Sequence, residues 1–225
     1  MNSFTQQDMT KDLRYRMVSE QLEFRGIHDQ RILNVFREIP RHLFVSNVPI
    51  HLAYGDTPLP ISAGQTISQP YIVALMLVYL DLKKQHKVLE IGSGSGYATA
   101  LLSKLCHHVD AVEVYQELID GARQAVEKLS IENVSFIHRS AWEQIVETDG
   151  YDRIILWASP PRVPEHLLES LNLGGILVTP EGKNDQYVWI YKRQVGKIEK
   201  IKRDAVRFVP LVKGTVSEID GIMRG

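Results

Sequence analysis

The 225-residue sequence predicts an α/β fold in which helices precede a mostly parallel sheet and antiparallel strands complete it. Between residues 86 and 182, short β-branched runs alternate with helical stretches, which is the pattern of βαβ units. From residue 187 onward, apolar and polar residues alternate with period two, as in antiparallel strands at a sheet edge. A glycine-rich turn, "EIGSGSGY", leads from a strand into a helix. These patterns together indicate an α/β domain.

Two packing helices are predicted near the N-terminus. Tyr15, Val18 and Leu22 fall at i, i+3 and i+7, the spacing of one helix face, and Gly26 can end that helix in a left-handed conformation. Asp29 is a suitable N-cap for a second helix. The apolar stripe of this second helix consists of Ile32, Val35, Phe36 and Ile39, and Pro40 follows it.

The segment 48–70 contains four prolines and two glycines, so it is predicted to be extended and irregular. A long ordered loop of this kind usually has a function. Beyond it, the predicted strands are 86–92, 108–114, 133–139, 151–159, 174–182, 187–194 and 197–212, the last two joined near Gly196. The predicted helices are 71–82, 97–106, 115–129 and 164–171.

Composition and charge exclude several classes of protein. A net charge of -1 gives no overall attraction to nucleic acid or to an anionic membrane. We find no apolar run of the roughly 18 residues that span a bilayer and no secretory signal, so we expect a cytoplasmic protein. Cys106 is the only cysteine, which excludes an internal disulfide and favours a buried helix residue. The scattered histidines predict no metal site.

The glycine loop predicts a nucleoside site without a phosphate chain. Gly92, Gly94 and Gly96 allow a sharp turn and a close approach of a ligand to the backbone. The dinucleotide fingerprint requires a small residue where Tyr97 stands, which disfavours a nicotinamide oxidoreductase. The lysine and hydroxyl residue of a nucleoside triphosphate loop are also missing.

Two acidic residues flank this loop. Glu113 lies 21 positions after Gly92, at the end of the next strand, where a carboxylate can bind ribose hydroxyls; the alternative is a solvated strand end. Glu90 lies within an apolar strand, where an unpaired charge is costly. We therefore expect Glu90 to face a ligand cation or hydrogen-bond donors, with a salt bridge to an arginine as the alternative.

Over nearly its whole length, the chain resembles the protein-L-isoaspartate O-methyltransferase family. The similar stretches include "AYGDTPLPISAGQTISQPYIVALM", "KVLEIGSGSGYATALLSKL" and "YDRIILWASPPRVPEHLLESLNLGGILVTPEG". The combination "PLPI..GQTIS" followed by proline is the most specific of these motifs. The resemblance implies a Rossmann-like S-adenosylmethionine-dependent methyltransferase fold. It also implies methyl transfer from S-adenosyl-L-methionine to the free carboxylate of L-isoaspartyl residues in proteins or peptides, a repair reaction.

The resemblance implies specific roles along the chain. Ser68 matches the active-site serine, and Gln65, Thr66 and Ile67 lie with it in a loop over cofactor and substrate. The cofactor-binding residues implied are Glu90, Gly92, Ser93, Gly94, Gly96, Tyr97, Glu113, Ser140 and Gln186. We divide one domain, 1–225, into N-terminal helices with the substrate loop (1–80), a cofactor-binding α/β core (81–186) and C-terminal antiparallel strands with a tail (187–225). We expect a monomer.

Some residues depart from the family pattern. Arg139, Ser140 and Ala141 replace Gly-Asp-Gly, whose acid contacts the adenine; Ser140 can accept a hydrogen bond but carries no charge. Ser62, the "WASPP" stretch and Glu181 also differ. Two alternatives therefore remain: a relative specialised for another carboxylate, such as aspartate in one dedicated peptide, and a catalytically weak module that binds S-adenosylmethionine.

Overall fold

The computed structural model describes residues 6–145 and 149–223. Its strands are β1 (Leu59–Pro60), β2 (Thr66–Ile67), β3 (Lys87–Ile91), β4 (His108–Glu113), β5 (Val134–His138), β6 (Tyr151–Leu156), β7 (Leu171–Glu181), β8 (Gln186–Gln194) and β9 (Lys197–Val206). In these residues β1 and β2 form a hairpin, and the other strands form one sheet in the order β5-β4-β3-β6-β7-β8-β9.

The sheet contains a topological switch point beside β3. This strand pairs in parallel with β4 on one side and with β6 on the other, so the chain extends the sheet in opposite directions from it. Ligands of open α/β sheets bind in the crevice beyond the carboxyl ends of the strands at such a point. Here those ends are Ile91, Glu113 and Leu156. The pairings of β7 with β8 and β8 with β9 are antiparallel, which confirms the prediction for the C-terminal strands.

The described helices are α1 (Gln6–Arg16), α2 (Gln30–Glu38), α3 (Ile50–Ala53), α4 (Pro70–Leu80), α5 (Tyr97–Ser103), α6 (Gln116–Lys128), α7 (Glu165–Glu169) and α8 (Val216–Met223), with a π-helix at Met17–Glu23 and a 3₁₀ turn at Arg41–Phe44. The Asp29 carboxylate accepts the backbone N–H of Arg31, which confirms the predicted cap of α2. Pro70 begins α4, where its missing N–H breaks no helical bond. Among residues 6–145 and 149–223, no helix is both long and apolar enough to cross a membrane.

The predicted face of the first helix is wrong at one position. Val18 and Leu22 are fully buried, but Tyr15 is 46% exposed. The π-helix that begins at Met17 has a wider turn than an α-helix, so it rotates the following residues relative to Tyr15. Gly26 has φ +95°, as predicted for a left-handed helix end.

The two faces of the sheet bury separate apolar clusters. In β3, alternation places Val88 in one cluster together with α4 and α5. Leu89 and Ile91 lie in the other cluster, which includes Leu167 of α7. Glu90 has the same parity as Val88 and therefore points toward the α5 side of the sheet.

Two segments differ from the predicted structure. Residues 48–70 were expected to be irregular, yet they include α3 and the β1–β2 hairpin, whose turn uses Gly64 with φ +63°. The last strand was expected to reach residue 212, but β9 ends at Val206. Pro210 lacks the N–H that a strand ladder requires, and the chain there crosses the ends of the strands instead. Backbone bonds of 2.8 Å and 2.9 Å join Ser159 to Val209 and Leu211.

Candidate active site at the switch point

A cavity lies at the carboxyl ends of β3, β4 and β6, where the topology predicts a ligand crevice. Six stretches of chain line it, and each comes from a different part of the sequence. They are the hairpin (Gln65, Thr66), the glycine loop with its strand (Ile91, Gly92, Gly94), the end of β4 (Val112–Tyr115), the turns after β5 and β6 (Arg139, Ala141, Trp157, Ala158) and the segment Val209–Val212.

The glycine loop is shaped by tight contacts. Gly92, Gly94 and Gly96 all have positive φ, from 53° to 83°, a conformation that other residues rarely adopt. A Cβ atom on Gly96 would lie 2.8 Å from the Cβ of Ala122 in α6, so the third glycine allows α5 and α6 to approach closely. A Cβ on Gly94 would lie 3.4 Å from Ile61, which places the hairpin directly over the loop.

Glu113 is the acidic group of this cavity. Its side chain is buried, and its oxygens accept the backbone N–H groups of Gly94 (2.9 Å), Val114 (2.7 Å) and Tyr115 (3.3 Å). Burial raises the pKa of Glu113, whereas these three N–H groups oppose that change. An ionised carboxylate has about four acceptor positions, so one remains for a ligand hydroxyl. The alternative of a solvated strand end is wrong.

Glu90 is fully buried and lies behind the cavity wall. Its Oε1 accepts the indole N–H of Trp157 at 2.8 Å, and its Oε2 accepts the hydroxyl of Thr99 at 2.5 Å. Burial raises its pKa to about 7 despite these two bonds. Because Thr99 and Trp157 supply the hydrogen bonds, an arginine partner is not needed.

Trp157 was missed in the sequence as a site residue. Its indole is 8% exposed and lines the cavity, and its backbone N–H donates to Ile91 O at 3.0 Å. The available signal was its position directly after a parallel strand at the switch point. Residues 209–212 were missed as well, because their contact with the end of β6 is long-range.

The residues of "GQTIS" lie on the other side of the cavity. Thr66, Ile67 and Ser68 surround a smaller cavity together with Ser93 and Ser95 of the glycine loop. The hydroxyl of Ser93 is buried without a hydrogen-bond partner in the described part of the chain, so it is available to a ligand. The N-cap of α4 is Gln69, so Ser68 does not cap this helix.

Arg41 fixes the backbone of this segment from inside the protein. Its guanidinium is fully buried and donates to Ser68 O at 2.9 Å and to Ala53 O at 3.0 Å. It also lies 5.0 Å from the ring centroid of Tyr97. Burial lowers the pKa of Arg41 to about 10, so the group is still a cation at neutral pH.

Besides Glu90, Ser93 and Gly96, three further residues assigned to the cofactor from the sequence lie outside the main cavity. Tyr97 packs edge-on against Phe36 and Phe44 and reaches only the smaller cavity. Ser140 is fully buried, and its hydroxyl accepts the backbone N–H of Trp142 at 3.2 Å. Its neighbours Arg139 and Ala141 line the cavity instead.

Gln186 is the third of these residues. It exchanges hydrogen bonds of 2.6 Å and 3.2 Å with the backbone of Phe208. It therefore anchors the segment that leads into the cavity wall.

An open groove begins beside Ser68 and runs between α4 and the chain after β9. Thr66, Trp157 and Val209 border both the groove and the main cavity at the strand ends, so the two spaces meet at these residues. Arg25 and Arg207 lie along the groove, and Tyr71, Ile72 and Leu75 give it an apolar wall. Such a groove suits an extended peptide.

The described residues contain no cluster that could hold a metal ion, and Cys106 is buried away from the site.

The sequence matches one protein family over most of its length. The profile of the family described as protein-L-isoaspartate(D-aspartate) O-methyltransferase matches residues 14–216. Among similar sequences is the protein-L-isoaspartate O-methyltransferase of Pectobacterium atrosepticum, 43% identical over 88% of this chain and 95% of the relative. The enzyme of the same name from Yersinia pestis is 45% identical with the same coverage.

Solved structures agree with this match. A Plasmodium falciparum protein described as a protein-L-isoaspartate O-methyltransferase in complex with S-adenosyl-L-homocysteine superposes with a TM-score of 0.79. It is 27% identical and covers 89% of this chain and 99% of its own. A second structure of a protein-L-isoaspartate O-methyltransferase has a TM-score of 0.80 and 27% identity, over 91% of this chain and 66% of its own. The predicted Rossmann-like methyltransferase fold is confirmed.

Proposed function

The chain belongs to the protein-L-isoaspartate(D-aspartate) O-methyltransferase family, and on that premise we propose that it methylates the free α-carboxylate of L-isoaspartyl residues in damaged proteins and peptides. S-adenosyl-L-methionine is the methyl donor. The observation that carries the proposal is the junction between two spaces: a buried cavity with one acidic group, and an open groove that meets it beside Ser68.

The residues of the cavity fit S-adenosylmethionine. Glu113 has an acceptor position for a ribose hydroxyl, and in the adjoining smaller cavity the buried hydroxyl of Ser93 has no partner among the described residues. Ile91, Val112 and Leu211 give the cavity apolar walls suited to a purine ring. When bound, this cofactor supplies a methyl group on a sulfonium that leaves as a neutral thioether.

The chain does not need a general base for this reaction. An α-carboxylate has a pKa of about 3.5 and is therefore an ionised nucleophile at neutral pH. The protein must hold that oxygen in line with the methyl group at about 3 to 3.5 Å and exclude water. We assign the orientation to the Gln65 amide and to the hydroxyls of Thr66 and Ser68, while Ile67 keeps the site dry.

Peptide recognition belongs to the groove. The positive charge of Arg207 favours a substrate that carries carboxylates, and the apolar wall from α4 accommodates neighbouring side chains. An isolated peptide strand can enter because the groove is open. We expect the enzyme to act as a monomer on proteins and peptides rather than on nucleic acid or membranes.

The test is incubation of the purified protein with labelled S-adenosylmethionine and three matched peptides. These contain isoaspartate, aspartate or asparagine at one position and are otherwise identical. We expect base-labile label on the isoaspartyl peptide alone. Label on the aspartyl peptide would instead support a relative specialised for another carboxylate, and cofactor binding without transfer would support a binding module.

Ser68→Ala tests the role of the hydroxyl. Loss of a hydrogen bond to the anionic substrate should lower kcat by about 10- to 100-fold. The affinity for S-adenosylhomocysteine should stay within about threefold, because Ser68 borders the groove and the smaller cavity rather than the main one. Single-turnover kinetics and calorimetry measure the two quantities. An unchanged kcat would remove Ser68 from the active site.

A further inference from the structure

Trp157 occupies the point at which the cavity and the groove meet. Its side chain borders the main cavity, the smaller cavity and the groove, and Thr66 is the only other residue that the three spaces share among those described. A large, rigid ring at this point limits what can pass from the groove to the cofactor. Its shape therefore bears on the choice of substrate.

The indole ring is fixed in place from behind. Its N–H donates to Glu90 at 2.8 Å, and the backbone N–H of the same residue donates to Ile91 O. Glu90 is itself held by the hydroxyl of Thr99 on α5. With the main-chain and indole N–H groups both bonded, the ring cannot turn toward the groove without leaving a buried carboxylate short of a donor.

Glu90 does not touch either space. Its side chain is fully buried, and it is absent from the described lining of the cavities and the groove. Its two oxygens are directed to protein donors rather than to a ligand. Any effect of Glu90 on the reaction must therefore be transmitted through a neighbour, and Trp157 is the neighbour that reaches the site.

We propose that Trp157 is a specificity-determining residue that restricts the peptide next to the reacting carboxylate, and that Glu90 is a positioning residue acting through Trp157. The inference rests on the proposed function, since it concerns the peptide groove of a methyltransferase. The ligand class is a peptide whose residue after the isoaspartate is small. A bulky residue at that position would meet the fixed face of the indole.

The experiment uses two isoaspartyl peptides that differ only in the next residue, glycine or tryptophan. The parent enzyme should have the higher kcat/KM for the glycine peptide, and Trp157→Ala should reduce that preference by about tenfold. Trp189→Phe is the matched control, because this tryptophan lies on β8 against Lys200 and outside the site. The control should keep the preference of the parent.

Double-mutant analysis tests the link to Glu90. Glu90→Leu removes the acceptor, and Trp157→Phe removes the donor but keeps a ring. Each should reduce the kcat/KM preference for the glycine peptide by about tenfold, and the double variant should lose no more of it than either single variant, because both changes break the same bond. Glu90→Gln can still accept the indole N–H and should keep the preference of the parent. The affinity for S-adenosylhomocysteine should stay within about threefold in Glu90→Gln, because Glu90 does not line the main cavity.

Several outcomes would overturn the inference. One is an unchanged peptide preference in Trp157→Ala, and another is additive effects of the two single variants. A large loss of S-adenosylhomocysteine affinity in Glu90→Gln would make Glu90 a cofactor ligand instead. If Glu90→Leu does not fold, Glu90→Met takes its place in the double-mutant cycle, because methionine keeps the length of the side chain without the carboxylate. A parent protein inactive on both peptides overturns the proposed function, whereas an active parent without preference overturns this inference alone.

Discussion

Replacement of Arg41 by methionine should destabilise the protein and release the backbone of Ser68. Methionine has a similar length but no donors, so the carbonyls of Ala53 and Ser68 both lose their buried partner. Two hydrogen bonds from a charged group contribute about 3 to 6 kcal/mol, and removing the buried cation recovers roughly a third to a half of this as desolvation cost. We expect the free energy of unfolding to fall by about 2 to 3 kcal/mol. The melting temperature should then fall by about 4 to 12 °C for a chain of this size.

Urea unfolding measures the stability, and single-turnover methylation measures the release of Ser68. We expect kcat to fall more than the affinity for S-adenosylhomocysteine, because the Arg41 bond leads to Ser68 and not to Glu113. Arg41→Lys is the matched control. One ammonium can reach one of the two carbonyls, so the loss of unfolding free energy should be about half of that in the methionine variant. A methionine variant as stable and as active as the parent would refute the reasoning. It would mean that the cost of desolvating the guanidinium is as large as the free energy that its two hydrogen bonds contribute.

Two further predictions concern the glycine loop and the buried acid. Gly96→Ala should lower the free energy of unfolding by about 3 kcal/mol for two reasons. The new Cβ would lie only 2.8 Å from the Cβ of Ala122, and the φ of +83° at this position strains any residue other than glycine. Adding Ala122→Gly should recover the part due to the clash, and a Gly96→Ala variant with normal stability would contradict this packing. Because the pKa of Glu90 is raised from 4.5 to about 7, its contribution to stability is complete below pH 4.5 and is lost as the pH rises through 7. The free energy of unfolding of the ligand-free protein should thus fall by about 2 kcal/mol through this group between pH 5.5 and pH 8. Urea unfolding of Glu90→Gln should lack this component. An equal fall in both proteins would assign it to other groups.

Local patterns account for the parts of the fold that the sequence predicted correctly. The cap and stripe of α2 depend on residues a few positions apart, and Asp29 and Phe36 lie where this spacing requires. The parallel strands were recognisable because strands buried on both faces form nearly continuous apolar runs. By contrast, the β1–β2 hairpin lies in a proline-rich stretch, where composition indicated an irregular loop. Only the pairing of Leu59 and Pro60 with Ile67 and Thr66 defines its strands.

The candidate site was predictable where one motif supplies it and not where distant segments meet. The glycine loop, Glu113 and "GQTIS" come together as expected. Glu90 was expected to face a ligand cation or hydrogen-bond donors, and its donors belong to the protein: Thr99 on α5 and Trp157, which is 67 positions away. No local rule relates two residues so far apart in the sequence. The same holds for Gln186, whose partner Phe208 lies across a pair of antiparallel strands.

The segment 209–212 closes the main cavity, although it lies more than 50 positions beyond the end of β6. On a ribosome, the strands β3 to β6 emerge well before this last wall. A nascent chain could therefore build its central strands and remain unable to retain the methyl donor until residue 212 has been synthesised. Cofactor capture would then be among the final events in the maturation of this enzyme, after the sheet has formed.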